Sequence, residues 1–336
     1  MLSRTLTLER PLDLSAVLAP LAHGAGDPTI RRLGHGVARA TWMPSGAATI
    51  RLTPAGPGSL LVEAWGPGAA EALERVPALV GLDDDDSGFD ASLHPVVAAL
   101  ARRRPGLRLG RTGSVLEALV PAVLEQRITG SEASRSYRRL VLALAVPAPS
   151  PSGSPSEPRS DVPSTEPASD RRGLGALWMP PRASDLARLR SWTFPGLGIE
   201  PRRGALLVRL GRDADRLEAL AASASEVGGG GRGAAELAAR LRAYPGIGPW
   251  TAAEVTLRAL GDPDAVSVGD AHLPNLVAWA LAGEARATDE RMLELLAPWV
   301  GHRARVIRLL ETSGLAAPRF GPRIAPRDLL DLSPRD

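Results

Sequence analysis

Hydrophobic and polar residues alternate over much of the first hundred residues, which is the pattern of half-buried β-strands. Residues 44–46 and 54–58, rich in proline and glycine, supply turns between neighbouring runs. Such short connections join antiparallel strands, so the pattern predicts an antiparallel meander followed by a helix. The predicted strands are 5–9, 37–43, 48–53 and 59–64, and the predicted helix is 69–80.

From about residue 99 the apolar positions repeat at helical spacing. Ser114 and Glu117 have the spacing of a capping box, and residues 116–124 continue it with an apolar face. The segment 129–132, Thr-Gly-Ser-Glu, is expected to end this helix and to cap the next one, which extends to about Val146. Further helices are predicted over 185–190, 201–223, 234–242, 249–260, 271–282, 289–296 and 302–312.

Two segments interrupt the helical pattern. Residues 147–172 are rich in Pro, Ser, Glu and Asp and cannot bury enough apolar surface to offset their ordering entropy, so we expect a disordered insertion. Residues 228–231 are a glycine run typical of a flexible connector. The predicted fold class is α+β, with an N-terminal antiparallel β-sheet domain with helices over 1–98, a mostly helical domain over 99–316, and an extended tail over 317–336.

The composition excludes several kinds of chemistry. The chain has 336 residues and no cysteine, so disulfides, thiol nucleophiles and cysteine-ligated metals or iron–sulfur clusters are excluded. The N-terminus does not have the pattern of a signal peptide, and no apolar run approaches the ~18–20 residues of a membrane span. We therefore expect a cytoplasmic monomer with no membrane contact.

Charge gives a weaker signal than the arginine content suggests. All 40 basic residues are arginine, yet the formal net charge is only +3. Local placement of arginine therefore matters more for nucleic-acid binding than overall charge. The four aspartates at 83–86 are predicted to form a solvated acidic loop rather than a calcium site.

The segment 245–250, Pro-Gly-Ile-Gly-Pro-Trp, joins two predicted helices. Glycines at alternating positions let the backbone approach a ligand closely, and Pro249 suits the first position of a helix. The turn thus presents free amides at a helix N-terminus, where an anion such as a DNA phosphate binds. A plain connector is the alternative reading, because Pro-Gly-x-Gly also occurs at 195–198, where we predict an ordinary loop.

Asp270 follows Gly248 by 22 residues and precedes the predicted helix 271–282. Aspartate is among the most favourable N-cap residues, and the helix dipole keeps such a carboxylate ionised. The position is therefore compatible with a structural cap, with a reactive carboxylate, or with both.

The residues 245–252, together with Asp270 at this spacing, resemble the helix–hairpin–helix DNA glycosylases, and among them the bacterial 3-methyladenine DNA glycosylase II group. The resemblance extends over most of the chain: 1–98 resembles the N-terminal β domain and 116–128 the first long core helix. Pro298-Trp299 before a basic helix is similar to the C-terminal part.

The resemblance implies a DNA repair enzyme that needs no cofactor and hydrolyses the N-glycosidic bond of alkylated purines, such as 3-methyladenine and 7-methylguanine, in double-stranded DNA. Asp270 is the implied catalytic carboxylate. An alkylated purine is already a cationic leaving group, so the carboxylate needs to stabilise only the oxocarbenium-like sugar after the base has been flipped out. The implied DNA contacts are Gly246, Ile247, Gly248, Thr251, Gln126 and Arg127.

The implied base pocket contains Trp250, Trp299 and Glu254. The two indoles suit cationic bases through cation–π contact, although both tryptophans fit a hydrophobic core equally well. In the family, carbonyls of the hairpin hold a monovalent cation when DNA is bound; by position these belong to Arg242, Tyr244 and Ile247. His272 and His302 lie near the implied site, but no histidine pair has metal-ligand spacing, so we expect no zinc.

Some departures from the family pattern exclude particular activities, and others leave the substrate open. Without cysteine the chain cannot carry the iron–sulfur cluster of relatives such as endonuclease III, and without lysine it has no Schiff-base nucleophile, whose position Trp250 occupies. We therefore expect a monofunctional enzyme that leaves the abasic site uncut. Arg127 stands where an apolar residue fills the gap left by the flipped base, or it simply ends an amphipathic helix. Glu254 replaces an aromatic residue, so a glycosylase for another damaged base, or a catalytically silent DNA-binding module, stays open.

Overall fold

A computed structural model of the protein describes residues 1–150, 176–226 and 231–318. Its N-terminal part is a five-stranded antiparallel sheet with the strand order β1-β5-β4-β3-β2. The meander over β3, β4 and β5 was predicted, whereas β2, only four residues long, gave no clear alternation. The strands are β1 Leu2–Thr7, β2 Ile30–Leu33, β3 Gly36–Met43, β4 Gly46–Pro54 and β5 Ser59–Trp65.

Helices form most of the remaining described chain, and the predicted α+β architecture is confirmed. Two predicted helices match the structure at both ends, α11 and α13, while the predicted helix 201–223 is divided in two at Asp213. The helices are α1 Leu14–Leu18, α2 Ala69–Leu79, α3 Pro95–Arg103, α4 Val115–Glu125, α5 Gly130–Leu144, α6 Ala183–Arg188, α7 Thr193–Gly196, α8 Pro201–Arg212, α9 Ala214–Glu226, α10 Arg232–Arg242, α11 Pro249–Leu260, α12 Leu273–Ala282, α13 Asp289–Leu296 and α14 Arg303–Glu311.

Both faces of the sheet are covered. One face packs its buried aliphatic residues against α1 and α2. The other face meets Leu177 and Met179, which follow the predicted disordered insertion. Residues 147–150 of that insertion lie in the described chain, and Ala148 donates to the Leu177 carbonyl at 3.0 Å. The prediction of disorder is therefore wrong for these four residues, while 151–172 lie outside the described residues.

The helix α3 packs with the C-terminal helices rather than with the sheet. Its buried Val97 and Leu100 share a core with residues of α12, α13 and α14. The boundary predicted at 98/99 falls inside this helix. The N-terminal third of the chain therefore contacts the helical part through α3. The site described below lies in that helical part.

The helix α4 is the centre of the helical core, with nine of its residues buried. Ser114 caps it, but the predicted capping box is incomplete because the Glu117 carboxylate turns to Arg39 and Thr41 instead. Glu218 of α9 accepts the amides of the first two residues of α4 at 2.9 and 2.8 Å. The second predicted box, Thr129 with Glu132, is complete at the start of α5.

The second Pro-Gly-x-Gly copy was predicted to be an ordinary loop, but its first two residues are helical. Pro195 and Gly196 end the short helix α7, and Gly198 then turns the chain with a φ of +73° before α8 begins. The predicted loop therefore covers only the residues after Gly196.

The segment 83–86 is a loop in which Asp83, Asp85 and Asp86 are exposed, as predicted, but Asp84 is not solvated. The Asp84 side chain is 6% exposed and binds Arg305 of α14 through two hydrogen bonds of 2.7 and 2.9 Å, and it also accepts the Leu109 amide at 2.9 Å. Asp83 and Asp86 pair with arginines that are likewise distant in sequence. The acidic run is thus a set of arginine partners, and the described residues contain no cluster of three or more His, Asp or Glu suited to a metal ion. Among the described helices, none is long and apolar enough to cross a membrane.

Candidate active site

The turn between α10 and α11 carries the two glycines of the hairpin. Gly246 has a φ of +100°, a conformation that favours glycine, whereas Gly248 is extended. A Cβ built on Gly248 would meet no atom within 4 Å. Ile247 is buried between them and anchors the turn in the helical core. The fold therefore requires glycine at 246, while the surface at 248 is open to a ligand.

The N-terminus of α11 is free to bind an anion. No side chain caps this helix, and Pro249 occupies its first position. The amides of Trp250 and Thr251 thus have no partner within the helix. Together with Gly248 they form a surface of backbone donors at the positive end of a twelve-residue helix.

Gln126 connects the end of α4 to the hairpin. Its Nε2 donates to the Gly246 carbonyl and to the Thr251 hydroxyl, both at 2.9 Å. The Thr251 side chain is buried, so both side chains brace the hairpin from within. The next residue, Arg127, is exposed and has a φ of +55°, which is uncommon for a residue other than glycine. The structure thereby presents the Arg127 side chain beside the hairpin turn.

Asp270 is held from two sides. Its Oδ1 accepts the amides of His272 and Leu273 at 2.7 and 2.9 Å at the start of α12. This helix begins two residues later than predicted, so that its N-cap residue is His272 and Asp270 caps it from two residues further back. Its Oδ2 accepts the indole N–H of Trp250 at 3.0 Å. This second bond, which the sequence analysis did not predict, joins the carboxylate to the second helix of the hairpin.

A cavity of about 140 Å³ opens beside Asp270. Its wall also contains the carboxylates of Glu254 and Glu311, and otherwise mostly aliphatic side chains. This volume is close to that of an engineered protein cavity of about 150 Å³ that holds benzene. The aliphatic lining residues are Leu257, Ala265, Leu273, Leu276, Ala304 and Ile307.

Of the predicted pocket residues, Glu254 lines this cavity, whereas Trp250 and Trp299 are both absent from its lining. Trp250 contacts a lining residue, because its indole binds Asp270. Trp299 is buried in the core formed with α3 and the C-terminal helices, and its indole N–H donates to the Asp90 carbonyl at 2.8 Å. The prediction for Trp299 is therefore wrong, because a satisfied core tryptophan and a pocket tryptophan look the same in sequence.

The sequence analysis did not identify Arg258, which forms an ion pair with Glu254. Its Nη1 is 2.6 Å from the Glu254 carboxylate, and its Nη2 is 3.8 Å from that of Glu125. Burial lowers the pKa of Arg258, but the charges of Glu254 and Glu125 outweigh it, so the net pKa is raised. The i,i+4 spacing of Glu254 and Arg258 on α11 was the signal that could have revealed this pair.

Glu125, at the end of α4, is also ionised beside the site. Burial raises its pKa, but a hydrogen bond from His23 and the charge of Arg258 together lower the pKa by more, so that it lies below its usual value. The negative charge of Asp270 acts in the opposite direction. The charges of Glu125 of α4, Glu254 of α11 and Glu311 of α14 thus act on one guanidinium.

The predicted cation site lies on the other side of the hairpin. Arg242 is the last residue of α10, where carbonyls lack intrahelical partners and the helix dipole favours a cation. The Tyr244 carbonyl accepts the Ile247 amide at 3.0 Å and keeps a second lone pair. The cation site at these carbonyls stays a prediction. Arg209 adds a guanidinium at the same turn, with Nη2 2.7 Å from the Pro245 carbonyl.

Comparison with known proteins gives relatives in sequence and in structure. No family model matches the chain. It is 30% identical over 205 residues to a Mycobacterium tuberculosis protein, known from two strains, named probable bifunctional transcriptional activator/DNA repair enzyme AlkA. The matched region is 59% of this chain and 34% of the relative, so the chain spans about a third of the length of the curated relatives it matches.

Solved structures establish the fold. A 3-methyladenine DNA glycosylase from Archaeoglobus fulgidus superposes with a TM-score of 0.70 at 17% identity, covering 91% of this chain and 97% of that one. A Clostridium acetobutylicum 8-oxoguanine glycosylase/lyase, in complex with double-stranded DNA, superposes with a TM-score of 0.62 at 10% identity, covering 91% and 96%.

Proposed function

We propose that this chain, which belongs by fold to the helix–hairpin–helix DNA glycosylase superfamily, hydrolyses the N-glycosidic bond of alkylated purines in double-stranded DNA. The observation that carries the proposal is the position of Asp270. Two backbone amides at a helix N-terminus fix the orientation of its carboxylate, and Asp270 lines a cavity of about 140 Å³. The sequence relative named as a DNA repair enzyme supports it.

The chemistry of an alkylated purine suits a single carboxylate. Alkylation at a ring nitrogen makes the base a positively charged leaving group, so the glycosidic bond breaks with little proton donation. The sugar then develops oxocarbenium character, which the fixed negative charge of Asp270 stabilises while a water attacks. The Trp250 indole fixes the second oxygen of Asp270 and so sets the direction in which the carboxylate points.

The hairpin supplies the DNA contact. The open backbone at Gly248 and the free amides at the start of α11 bind a phosphate, which positions the duplex without reading its sequence. Arg127 lies beside this turn, because Gln126 attaches the end of α4 to the hairpin. From there its exposed side chain enters the space left by the flipped base.

We further propose that the product is an intact abasic site. Strand cleavage by glycosylase/lyases requires an amine that forms a Schiff base with the sugar, and the chain contains no lysine. The position after Pro249 is the tryptophan that binds Asp270. The alternative of a catalytically silent DNA-binding module is an outcome of the test that follows.

The test is incubation of the purified chain with duplex DNA containing 3-methyladenine or 7-methylguanine. We expect release of the free base, with strand breaks only after alkali treatment. Binding without any base release would favour the silent module. Breaks that appear without alkali at the rate of base release would contradict the monofunctional assignment, and release of 8-oxoguanine alone would contradict the substrate class.

Replacing Gly248 by leucine is expected to weaken DNA binding about tenfold for any sequence, without changing protein stability. A side chain at 248 meets no protein atom, but it occupies the space in which we propose that the phosphate binds. Kd measured at two salt concentrations is the readout, and loss of one phosphate contact should reduce the salt slope by about one.

Gly196→Leu is the matched control, since this glycine belongs to the second Pro-Gly-x-Gly copy and its Cβ would also meet no atom within 4 Å. Gly246→Leu should weaken binding too, but with a loss of stability, because its φ of +100° is strained for a side chain. Unchanged affinity of Gly248→Leu would exclude the phosphate role.

A further inference from the structure

We propose that Glu254 selects positively charged bases, because its carboxylate lies in the wall of the cavity beside Asp270 and attracts a positive charge on the base. This inference rests on the proposed function and assigns a specificity-determining residue to the same site. Glu254 lines the cavity together with aliphatic side chains and with Asp270, the carboxylate proposed to stabilise the sugar.

Protein donors fix the orientation of Glu254. One oxygen accepts the hydroxyl of Ser267, and the other is 2.6 Å from Nη1 of Arg258. Each carboxylate oxygen has two lone pairs, so each retains one for a ligand. Because the Glu254 side chain is only 15% exposed, a base that enters the cavity meets a carboxylate whose position is already set and partly desolvated.

Arg258 holds Glu254 without neutralising the cavity. Its guanidinium serves Glu125 as well as Glu254, so one positive charge is shared by two negative ones. Its Nε donates to the Pro20 carbonyl at 2.9 Å, which fixes the guanidinium against the N-terminal region. Arg258 therefore acts as a positioning residue for Glu254.

The rest of the cavity wall offers a neutral base few further favourable contacts. Among the described residues, the lining includes no tryptophan, tyrosine, phenylalanine or arginine; its one aromatic ring is the imidazole of His272, whereas Glu254, Asp270 and Glu311 all contribute carboxyl groups. Stacking on an aromatic wall would favour charged and neutral purines alike to a first approximation. A carboxylate wall favours a purine that carries a delocalised positive charge and N–H donors, and it repels a carbonyl oxygen directed at it.

The test compares binding of two duplexes that differ only in base charge. One contains 7-methylguanine on a 2′-fluorinated sugar, which keeps the positive charge but resists hydrolysis. The other contains 7-deaza-7-methylguanine, a neutral analogue of the same shape, on the same 2′-fluorinated sugar. An undamaged duplex of the same sequence reports the contribution of the hairpin alone. We expect the parent protein to bind the charged duplex about tenfold more tightly than the neutral one.

Glu254→Gln should remove this preference, and Glu254→Asp should restore most of it. Glu125→Gln is the matched control: it removes the other carboxylate partner of Arg258 but lies outside the cavity lining, so the preference should persist. Thermal unfolding of each variant confirms that it is folded.

Equal binding of the two duplexes by the parent, or a preference that survives in Glu254→Gln, would overturn the inference. Failure of the proposed function would appear separately, as an absence of base release from cleavable DNA. The binding preference itself requires no hydrolysis, so the two failures are distinguishable.

Discussion

Asp270→Asn is expected to lower the rate of base release about 10²–10³-fold while leaving DNA binding intact. The asparagine carbonyl can still accept the amides of His272 and Leu273, so the cap on α12 is retained. What is lost is the negative charge that stabilises the oxocarbenium-like sugar. The effect should therefore appear in the rate of the chemical step and not in the affinity for DNA.

Single-turnover release of 7-methylguanine, measured beside Kd for the same duplex, separates these quantities. Asp289→Asn is the matched control, because Asp289 accepts the Gly269 amide at 3.0 Å and stabilises the same loop from outside the cavity. Asp270→Ala should lose the rate and also about 1 kcal/mol of stability, since it removes the cap as well. A rate for Asp270→Asn close to that of the parent would reduce Asp270 to a structural cap.

Local features of the sequence predicted the parts of the site that depend on local physics. Pro249 and Gly261 delimit α11 because proline suits a helix start and a glycine at positive φ suits its end. Asp270 caps the following helix for the same kind of reason. The strand alternation likewise predicted the turns that join β3, β4 and β5.

The partners of polar side chains could not be predicted in this way. Gln126 and Gly246 are 120 residues apart in sequence, and Trp250 and Asp270 belong to different elements, yet each pair is joined by a hydrogen bond. Such bonds depend on how helices pack, which local periodicity does not encode. The prediction of a solvated acidic loop is wrong for Asp84 for this reason, since its partner Arg305 lies 221 residues away.

Asp84→Asn is expected to lower the free energy of unfolding by about 3–5 kcal/mol, the largest stability effect we predict. The side chains of Asp84 and Arg305 are each 6% exposed, so the substitution leaves a buried guanidinium without its counter-charge. The remaining acceptor, the Asp85 carbonyl at 3.1 Å, carries no formal charge. Because this pair connects the loop after α2 to α14, its loss should loosen the contact between the N-terminal and C-terminal parts of the described chain.

Asp86→Asn in the same acidic run is the matched control. Its partner Arg10 is about half exposed, and a surface pair of this kind contributes about 1 kcal/mol or less. Urea unfolding followed by circular dichroism measures both variants against the parent. The double variant Asp84→Leu with Arg305→Met should recover much of the loss, because the two charges are removed together. Equal destabilisation by Asp84→Asn and Asp86→Asn would show that burial of the Arg305 pair does not determine its contribution.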